Sequence, residues 1–243
     1  MKIALQLSGQ PRGYEKAFEY LHKNFLQHFD VDVFFHTWKQ NVYPLDDIDK
    51  CYKPVYKGVS APMSKAVANF FNENYTNTPD VKNWPPSATY SSFLSIWAAN
   101  NLRVNHEINT GTPYDYVMRT RFDFALNVNI KDHFDDLKKH MDRDFIVVPS
   151  DRGIAHPFFS NDQWAFGKGQ AITEYCSTYI HIPYFYANGV RFIGEDLLSA
   201  NYVRMRGNYR ISFMDMNHPF PPGPYNGSYH SLVRDDMELW KEH

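Results

Sequence analysis

The chain has 243 residues and a formal net charge of −2, with 43% hydrophobic and 21% charged residues. This length suffices for one sizeable hydrophobic core, and the composition is ordinary for a globular protein. Because the chain has no run of lysines or arginines, we expect it not to bind nucleic acid. We find no apolar segment long enough to span a bilayer, no signal peptide, and two isolated cysteines outside any metal-ligand spacing. The sequence therefore predicts a soluble, cytoplasmic protein.

The first 38 residues have the pattern of a strand–helix–strand unit. Residues 3–7 predict a buried strand, and apolar residues at helical spacing from Tyr14 to Phe29 predict a helix. Residues 31–36 predict a second buried strand. Because crossovers of this kind are right-handed, the two strands should be parallel neighbours.

The polar turn after the first strand is a candidate binding loop. It contains Ser8, Gly9, Gln10 and Arg12. Backbone amides at such a turn can bind phosphates or a nucleoside, with Arg12 as the charge partner. The loop is neither a P-loop nor a GxGxxG motif, so it is also compatible with a loop that only turns the chain.

The end of the second strand carries His36, Thr37 and Trp38. His36 and Thr37 could contact the same nucleotide. The alternatives are a hydrogen-bonded edge residue for His36 and a core residue for Trp38.

The middle of the chain is less regular. Between residues 39 and 87 we predict one helix, at about 63–75, and a long helix follows at about 88–108. The apolar face of the long helix runs through Tyr90, Phe93, Leu94, Trp97 and Val104. Asn100, Asn101 and Arg103 are expected to face elsewhere. No repeat or linker is visible, which favours a single domain over residues 1–243.

The most informative segment is 114–124, where a strand predicted at 116–118 runs into Arg119, Arg121 and Asp123. Buried charges are costly unless they meet a ligand, a metal or each other. In open α/β folds, ligands bind beyond the carboxyl ends of the strands. Two cations and one anion there suit a metal–diphosphate group, and the alternative is an internal Arg–Asp pair.

Three further features follow in order. Asp162 precedes a short apolar strand and the glycines 167 and 169, which open a helix; these glycines could let the backbone approach a sugar, or simply turn the chain. Glu195 and Asp196 open a helix whose apolar face is 198, 202 and 205, where N-terminal capping is the alternative role. A last strand near residues 209–213 precedes His218, which could also be structural.

This order of features resembles that of GT-A glycosyltransferases. Segments 7–12, 32–38 and 114–124 are similar to small glycosyltransferases of surface-polysaccharide gene sets and of large DNA viruses that glycosylate their own capsids. The resemblance covers residues 2–220. It implies an α/β fold with a mixed, mostly parallel sheet flanked by helices. Residues 1–124 would form a Rossmann-like nucleotide-binding half, and 125–243 the acceptor and catalytic half.

The resemblance also implies roles for individual residues. Asp123 would match the last carboxylate of the Asp-x-Asp motif, which binds a divalent metal, Mn²⁺ or Mg²⁺, and the diphosphate. Arg121 stands where that motif has its first Asp. Either one carboxylate holds the metal, or Arg119 and Arg121 replace part of its charge. His218 would complete the metal site, with His230 as a rival.

The implied activity is sugar transfer from a nucleoside-diphosphate sugar, with UDP-sugar favoured, to a glycan or glycoconjugate. We expect an inverting, metal-assisted reaction, in which Asp196 or Glu195 acts as the general base and Asp162 is a third candidate. Arg12 and Asp123 should then line one cleft. The alternatives are a noncatalytic nucleotide- or carbohydrate-binding protein on the same fold, and another nucleotide-dependent enzyme such as a sulfotransferase or nucleotidyltransferase.

Overall fold

The computed structural model describes residues 1–39, 43–77, 85–150, 162–215 and 230–232. The strands are β1 (Lys2–Ser8), β2 (Asp30–Trp38), β3 (Tyr56–Ser60), β4 (Tyr116–Arg121), β5 (Phe124–Leu126), β6 (Ile146–Ser150), β7 (Trp164–Gly167), β8 (Ile211–Asp215) and β9 (His230–Leu232). The helices are α1 (Tyr14–Asn24), α2 (Leu45–Tyr52), α3 (Lys65–Asn74), α4 (Pro86–Thr110), α5 (Ile130–Asp144), α6 (Gly169–Cys176), α7 (Thr178–Ala187) and α8 (Gly194–Met205).

Within these ranges, the main sheet has seven strands in the order β3-β2-β1-β4-β7-β6-β8. Strand β1 is parallel to both β2 and β4, so the predicted parallel pairing of the first two strands is confirmed. Strand β7 is antiparallel to its neighbours β4 and β6, whereas β6 and β8 are parallel. Strands β5 and β9 form a separate antiparallel pair. The predicted α/β architecture, a mixed and mostly parallel sheet flanked by helices, is confirmed.

The sheet separates two hydrophobic clusters, because successive side chains of a strand point to opposite faces. Leu5 of β1 belongs to a cluster with Leu21 of α1 and Leu137 of α5. Ala4 of β1 belongs to the other cluster, with Ile96 of α4. That second cluster also contains apolar residues of α6, α7 and α8. None of the helices in the described part of the chain combines the length and apolar character that crossing a bilayer requires.

Most predicted elements are confirmed with small shifts in their bounds. Helix α1 ends at Asn24 instead of continuing to Phe29, because the backbone leaves helical geometry at Phe25, where φ is −142°. Strand β4 does not stop before the arginines but continues through Arg121, and Arg119 within it is buried.

The orientation predicted for the long helix α4 is confirmed for Phe93, which is buried, but it was wrong for Asn100 and Arg103, which are buried instead of facing elsewhere. Its buried face includes Phe93, Ile96, Asn100 and Arg103, which are spaced three or four residues apart. The polar members are tolerated because they find partners inside. Asn100 accepts a hydrogen bond from the Gln6 side chain of β1.

Several elements were not predicted from the sequence. They are α2 and the edge strand β3 in the segment interpreted as irregular, and β5, α5, β6, α7 and β9 further along. Residues of β3 are mostly exposed, so the strand lacks the continuous apolar run of a central parallel strand. Helix α5 begins with a local signal, since the Asn129 side chain accepts a hydrogen bond from the Lys131 amide.

Candidate functional site

The carboxyl ends of three parallel strands meet at one edge of the sheet. Ser8, the last residue of β1, pairs in register with His36 of β2 and with Arg121 of β4. In the sheet, β2 and β3 lie on one side of β1, and the next strand in the chain, β4, lies on the other side. The strand order therefore reverses at β1. Open α/β sheets bind ligands in the crevice beside such a reversal.

A cavity of about 560 Å³ opens at this edge. Eight residues proposed from the sequence line it: Ser8, Gly9, Gln10, Arg12, Arg119, Arg121, Asp162 and Glu195. These residues come from the loop after β1, from β4, from the residues before β7 and from the first turn of α8. The cavity is within the size range of small-molecule sites.

The loop after β1 is shaped by Gly9. Its φ is 99°, a left-handed value that residues with a Cβ atom rarely adopt. In this conformation the Gly9 amide donates to Ser95 Oγ of α4 at 2.8 Å and to the His36 carbonyl at 3.3 Å. The turn is therefore tied to both β2 and α4, which fixes the start of the cavity wall.

Arg119 is the most enclosed cation of the cavity. Only 1% of its surface is exposed. Its Nη1 donates to the Asp162 carbonyl and its Nη2 donates to Ser8 Oγ at 3.3 Å. The guanidinium also lies 5.9 Å from the centre of the Tyr175 ring. Arg119 thus joins the end of β1 to the segment before β7 while its side chain borders the cavity.

Arg121 forms a two-pronged ion pair with Asp123. Its Nε donates to Asp123 Oδ1 and its Nη2 to Asp123 Oδ2, both at 2.8 Å. Burial acts to lower the pKa of Arg121, but the charges of Asp123 and Asp162 and the hydrogen bonds to Asp123 outweigh it and raise the pKa. Arg12 approaches the same carboxylate, with its Nε 3.4 Å from Asp123 Oδ2.

Asp123 itself lies beneath the cavity. Its side chain is 2% exposed, against 21% for Arg121 and 36% for Arg12, and it is not among the lining residues. The sequence predicted that Arg12 and Asp123 line one cleft. The two residues are in direct contact, but of Arg12, Arg121 and Asp123 only the two arginines line the cavity.

Glu195 is the cavity-lining carboxylate of helix α8. Burial is the main cause that raises its pKa, and the charges of Asp162 and Asp196 act in the same direction. A hydrogen bond from its own backbone and the charge of Arg121 oppose them. A carboxylate with a raised pKa is a stronger base, which suits proton abstraction from a hydroxyl. Asp162 also lines the cavity, with Oδ1 3.7 Å from Arg121 Nη1.

Asp196, the residue next to Glu195, is placed differently. Its Oδ2 lies 2.5 Å from Nε of Arg191, an exposed arginine in the turn before α8. Asp196 does not line the cavity. The structure therefore separates the two adjacent carboxylates that the sequence left as equal candidates for the base.

His36 and Thr37 are both buried and neither lines the cavity. His36 Nδ1 contacts Ser95 Oγ and Nε2 contacts Ser60 Oγ, each at 2.9 Å. Burial lowers the pKa of His36 to about 4, so the ring is neutral near pH 7. This geometry corresponds to the hydrogen-bonded structural histidine that the sequence offered as the alternative. The neighbouring Trp38 does line the cavity.

The residues proposed for a divalent metal do not fit one as arranged. Both Asp123 oxygens accept hydrogen bonds from Arg121, and a second arginine approaches Oδ2. Mn²⁺ and Mg²⁺ need several oxygen ligands, and within the described ranges no three His, Cys, Asp or Glu residues are grouped to hold a metal. His218 lies outside the described residues, and His230 is described only as part of β9.

One wall of the cavity was not predicted. It is formed by small hydroxyl residues in the first turns of α4, namely Ser87, Thr89, Ser91 and Ser92. The sequence signal was the cluster of serines around the predicted start of this helix, to which the sequence-based prediction assigned no role. Met63, just before α3, and Trp38 also line the cavity.

Comparisons with known proteins give little beyond this geometry. No protein-family model matches the chain, and no curated protein sequence matches it. Among solved structures, the apo crystal structure of mouse xyloside xylosyltransferase 1 is similar over 90% of this chain and 87% of that chain. The TM-score is 0.45 and the sequence identity is 8%, so this similarity carries no argument about activity.

Proposed function

We propose that this chain is a glycosyltransferase that moves a sugar from a nucleoside-diphosphate sugar to a hydroxyl group of a glycan or glycoconjugate. The observation that carries the proposal is the composition of the cavity at the strand-order reversal. Three arginines lie beside a carboxylate whose pKa is raised. The arginines suit a diphosphate, and the carboxylate suits an acceptor hydroxyl. The resemblance of the sequence to GT-A glycosyltransferases agrees with this reading.

Donor binding follows from the charges. Arg12 and Arg121 both line the cavity, and guanidinium matches phosphate oxygens in shape and charge. The small hydroxyl residues of α4 and the Trp38 side chain provide a neutral region for the rest of the donor. We keep UDP-sugar as the favoured donor.

The chemical step follows from Glu195. As the acceptor oxygen forms a bond to the anomeric carbon, the bond from that carbon to the diphosphate oxygen breaks and its electron pair leaves with the diphosphate. Glu195 takes the proton of the acceptor hydroxyl, with Asp162 as the second candidate. One base suffices for a single displacement, which inverts the anomeric configuration. The arginines stabilise the charge that develops on the diphosphate.

The test combines binding and turnover. UDP, GDP and dTDP are titrated into the protein by calorimetry, and the matching nucleotide sugars are then assayed for release of the nucleoside diphosphate with and without mixed glycan acceptors. We expect one diphosphate to bind and its sugar to be turned over. Binding without turnover would favour the noncatalytic alternative, and the absence of any binding would contradict the proposal.

A further inference from the structure

The ion pair between Arg121 and Asp123 beneath the cavity affects which groups can neutralise the negative charge of the donor. Asp123 stands where a metal ligand was expected, yet Arg121 holds both of its oxygens at 2.8 Å. The carboxylate is 2% exposed. A divalent cation at Asp123 would therefore have to displace a guanidinium from a buried carboxylate and leave that guanidinium without its charge partner, which is costly.

The surrounding charges oppose a cation further. Arg12, Arg119 and Arg121 all line the cavity, together with the carboxylates of Asp162 and Glu195, and Arg12 Nε lies 3.4 Å from Asp123 Oδ2. A divalent cation bound at Asp123 would be close to the positive side chains of Arg12 and Arg121. Like charges a few ångströms apart repel strongly where water is partly excluded. The same three charges attract a diphosphate.

Arg12 and Arg121 are also held in positions from which they can contact a diphosphate in the cavity. Arg121 is 21% exposed and Arg12 is 36% exposed, so each is anchored at Asp123 while its side chain reaches the cavity. Asp123 holds them by charge-assisted hydrogen bonds, which restrict their orientation before a ligand arrives. Two oriented guanidiniums over one buried carboxylate form a preorganised anion site.

We propose that Arg12 and Arg121 bind the donor's diphosphate without a divalent cation, and that Asp123 is the positioning residue that orients both arginines. The inference rests on the proposed function, since it specifies how that site recognises its substrate. It assigns to Asp123 a role different from the metal ligand implied by the sequence resemblance. When the sugar is transferred, the arginines remain on the departing diphosphate and no group other than the proton moves to the protein.

The experiment measures diphosphate affinity with and without metal. UDP, GDP, dTDP and inorganic pyrophosphate are titrated by calorimetry in EDTA and, separately, in Mn²⁺. We expect the diphosphate that binds to have the same Kd within about threefold in both buffers. Arg12→Ala should weaken it by about 10- to 100-fold, as expected for a lost charge-assisted hydrogen bond. The affinity of the corresponding nucleoside, which has no phosphate, should not change.

Variants at Asp123 show whether this residue positions the arginines or binds a metal ion. Asp123→Asn should weaken diphosphate binding to the same extent in EDTA and in Mn²⁺, because it loosens the arginines. A metal ligand would instead show a loss confined to Mn²⁺. Because Arg121→Ala would leave a buried carboxylate without its main partner, the double variant Arg121→Ala/Asp123→Ala is measured beside it. Arg143→Ala, an exposed arginine of α5 outside the cavity, is the matched control.

The outcomes distinguish this inference from the proposed function. Equal binding in the two buffers that is lost in Arg12→Ala supports the inference. Binding that needs Mn²⁺ overturns it and leaves the glycosyltransferase proposal standing. If no diphosphate binds in either buffer, both are overturned.

Discussion

Two arginine–carboxylate pairs lie on or beside the central sheet, and they differ in what surrounds them. Arg121 and Asp123 sit where strands β1 and β4 end, and Arg121 is 21% exposed at a cavity. Arg103 and Glu107 lie on helix α4, and the Arg103 side chain is 1% exposed. The first pair, which we call the open pair, faces a space that a ligand can fill. The second, the sealed pair, faces other side chains.

The sealed pair is enclosed by the protein's own polar groups. Arg103 Nη2 donates to Asn100 Oδ1 at 2.9 Å and to Thr173 Oγ1 at 2.6 Å. Glu107 additionally accepts from the Tyr114 amide at 3.0 Å. These contacts join α4 to α6 and to the start of β4. The two pairs thus differ in their surroundings: the open pair adjoins a cavity, whereas the sealed pair connects helices and strands of the fold.

The largest effect should come from Glu195, the proposed general base beside the open pair. Glu195→Gln should lower kcat for sugar transfer by about 100- to 10,000-fold, because general-base catalysis typically contributes that much. The Kd for the nucleoside diphosphate should change little, since the proposed diphosphate site consists of the arginines. Steady-state kinetics and calorimetry on the same preparation measure the two quantities.

The neighbouring carboxylate provides the control for this prediction. Asp196→Asn removes the ion pair with the exposed Arg191 and one of the smaller contributions that raise the pKa of Glu195, so kcat should stay within about threefold. If Asp196→Asn removes activity and Glu195→Gln does not, the assignment of the base from the cavity lining is wrong. If both variants remain active, Asp162 becomes the leading candidate.

The sealed pair should contribute to the free energy of unfolding and not to diphosphate binding. Arg103→Ala should lower the free energy of unfolding by about 3–5 kcal/mol, because it leaves a partly buried carboxylate and two polar side chains without their partner. Diphosphate affinity of the folded protein should not change. Urea unfolding followed by circular dichroism measures the loss, with Arg143→Ala as the control expected to stay within about 0.5 kcal/mol. A loss below about 1 kcal/mol would contradict the distinction between the two pairs.

The pH dependence of the free energy of unfolding tests whether His36 is buried as a neutral side chain, as the structure indicates. Its pKa is about 4 in the folded protein and 6.5 when unperturbed, so the unfolded state binds the proton more readily. The stabilising contribution is therefore complete above pH 6.5 and decreases as the pH falls through 4. Over this interval it amounts to about 3 kcal/mol. His36→Gln should remove this part of the slope between pH 6.5 and 4.

Comparing denaturant unfolding of the wild type and His36→Gln at several pH values isolates that contribution from the other titrating groups. Parallel slopes in the two proteins would show that His36 titrates freely, and would return it to the set of residues that could meet a ligand.

Local patterns in the sequence accounted for much of the fold. The alternation and length of apolar runs located β1, β2, β4, β7 and β8, and helical spacing located α1, α3, α4 and α8. The parallel pairing of β1 with β2 followed from the helix predicted between them, since a helical crossover connects parallel strands. Elements with weak local signals, such as the exposed edge strand β3, were missed because their existence depends on a neighbouring strand.

The sequence by itself located the ends of β1, β2 and β4 and the start of α8 to within a few residues, because chain order and local periodicity determine those positions. Only the tertiary structure decided which of them share a cavity. It placed Glu195 in the lining and Asp196 outside, enclosed His36 between two serines, and put Arg121 on both oxygens of Asp123. The contacts that enclose His36 join residues that are 24 and 59 positions apart. The direction of each side chain depends on packing between distant segments, which no local pattern records.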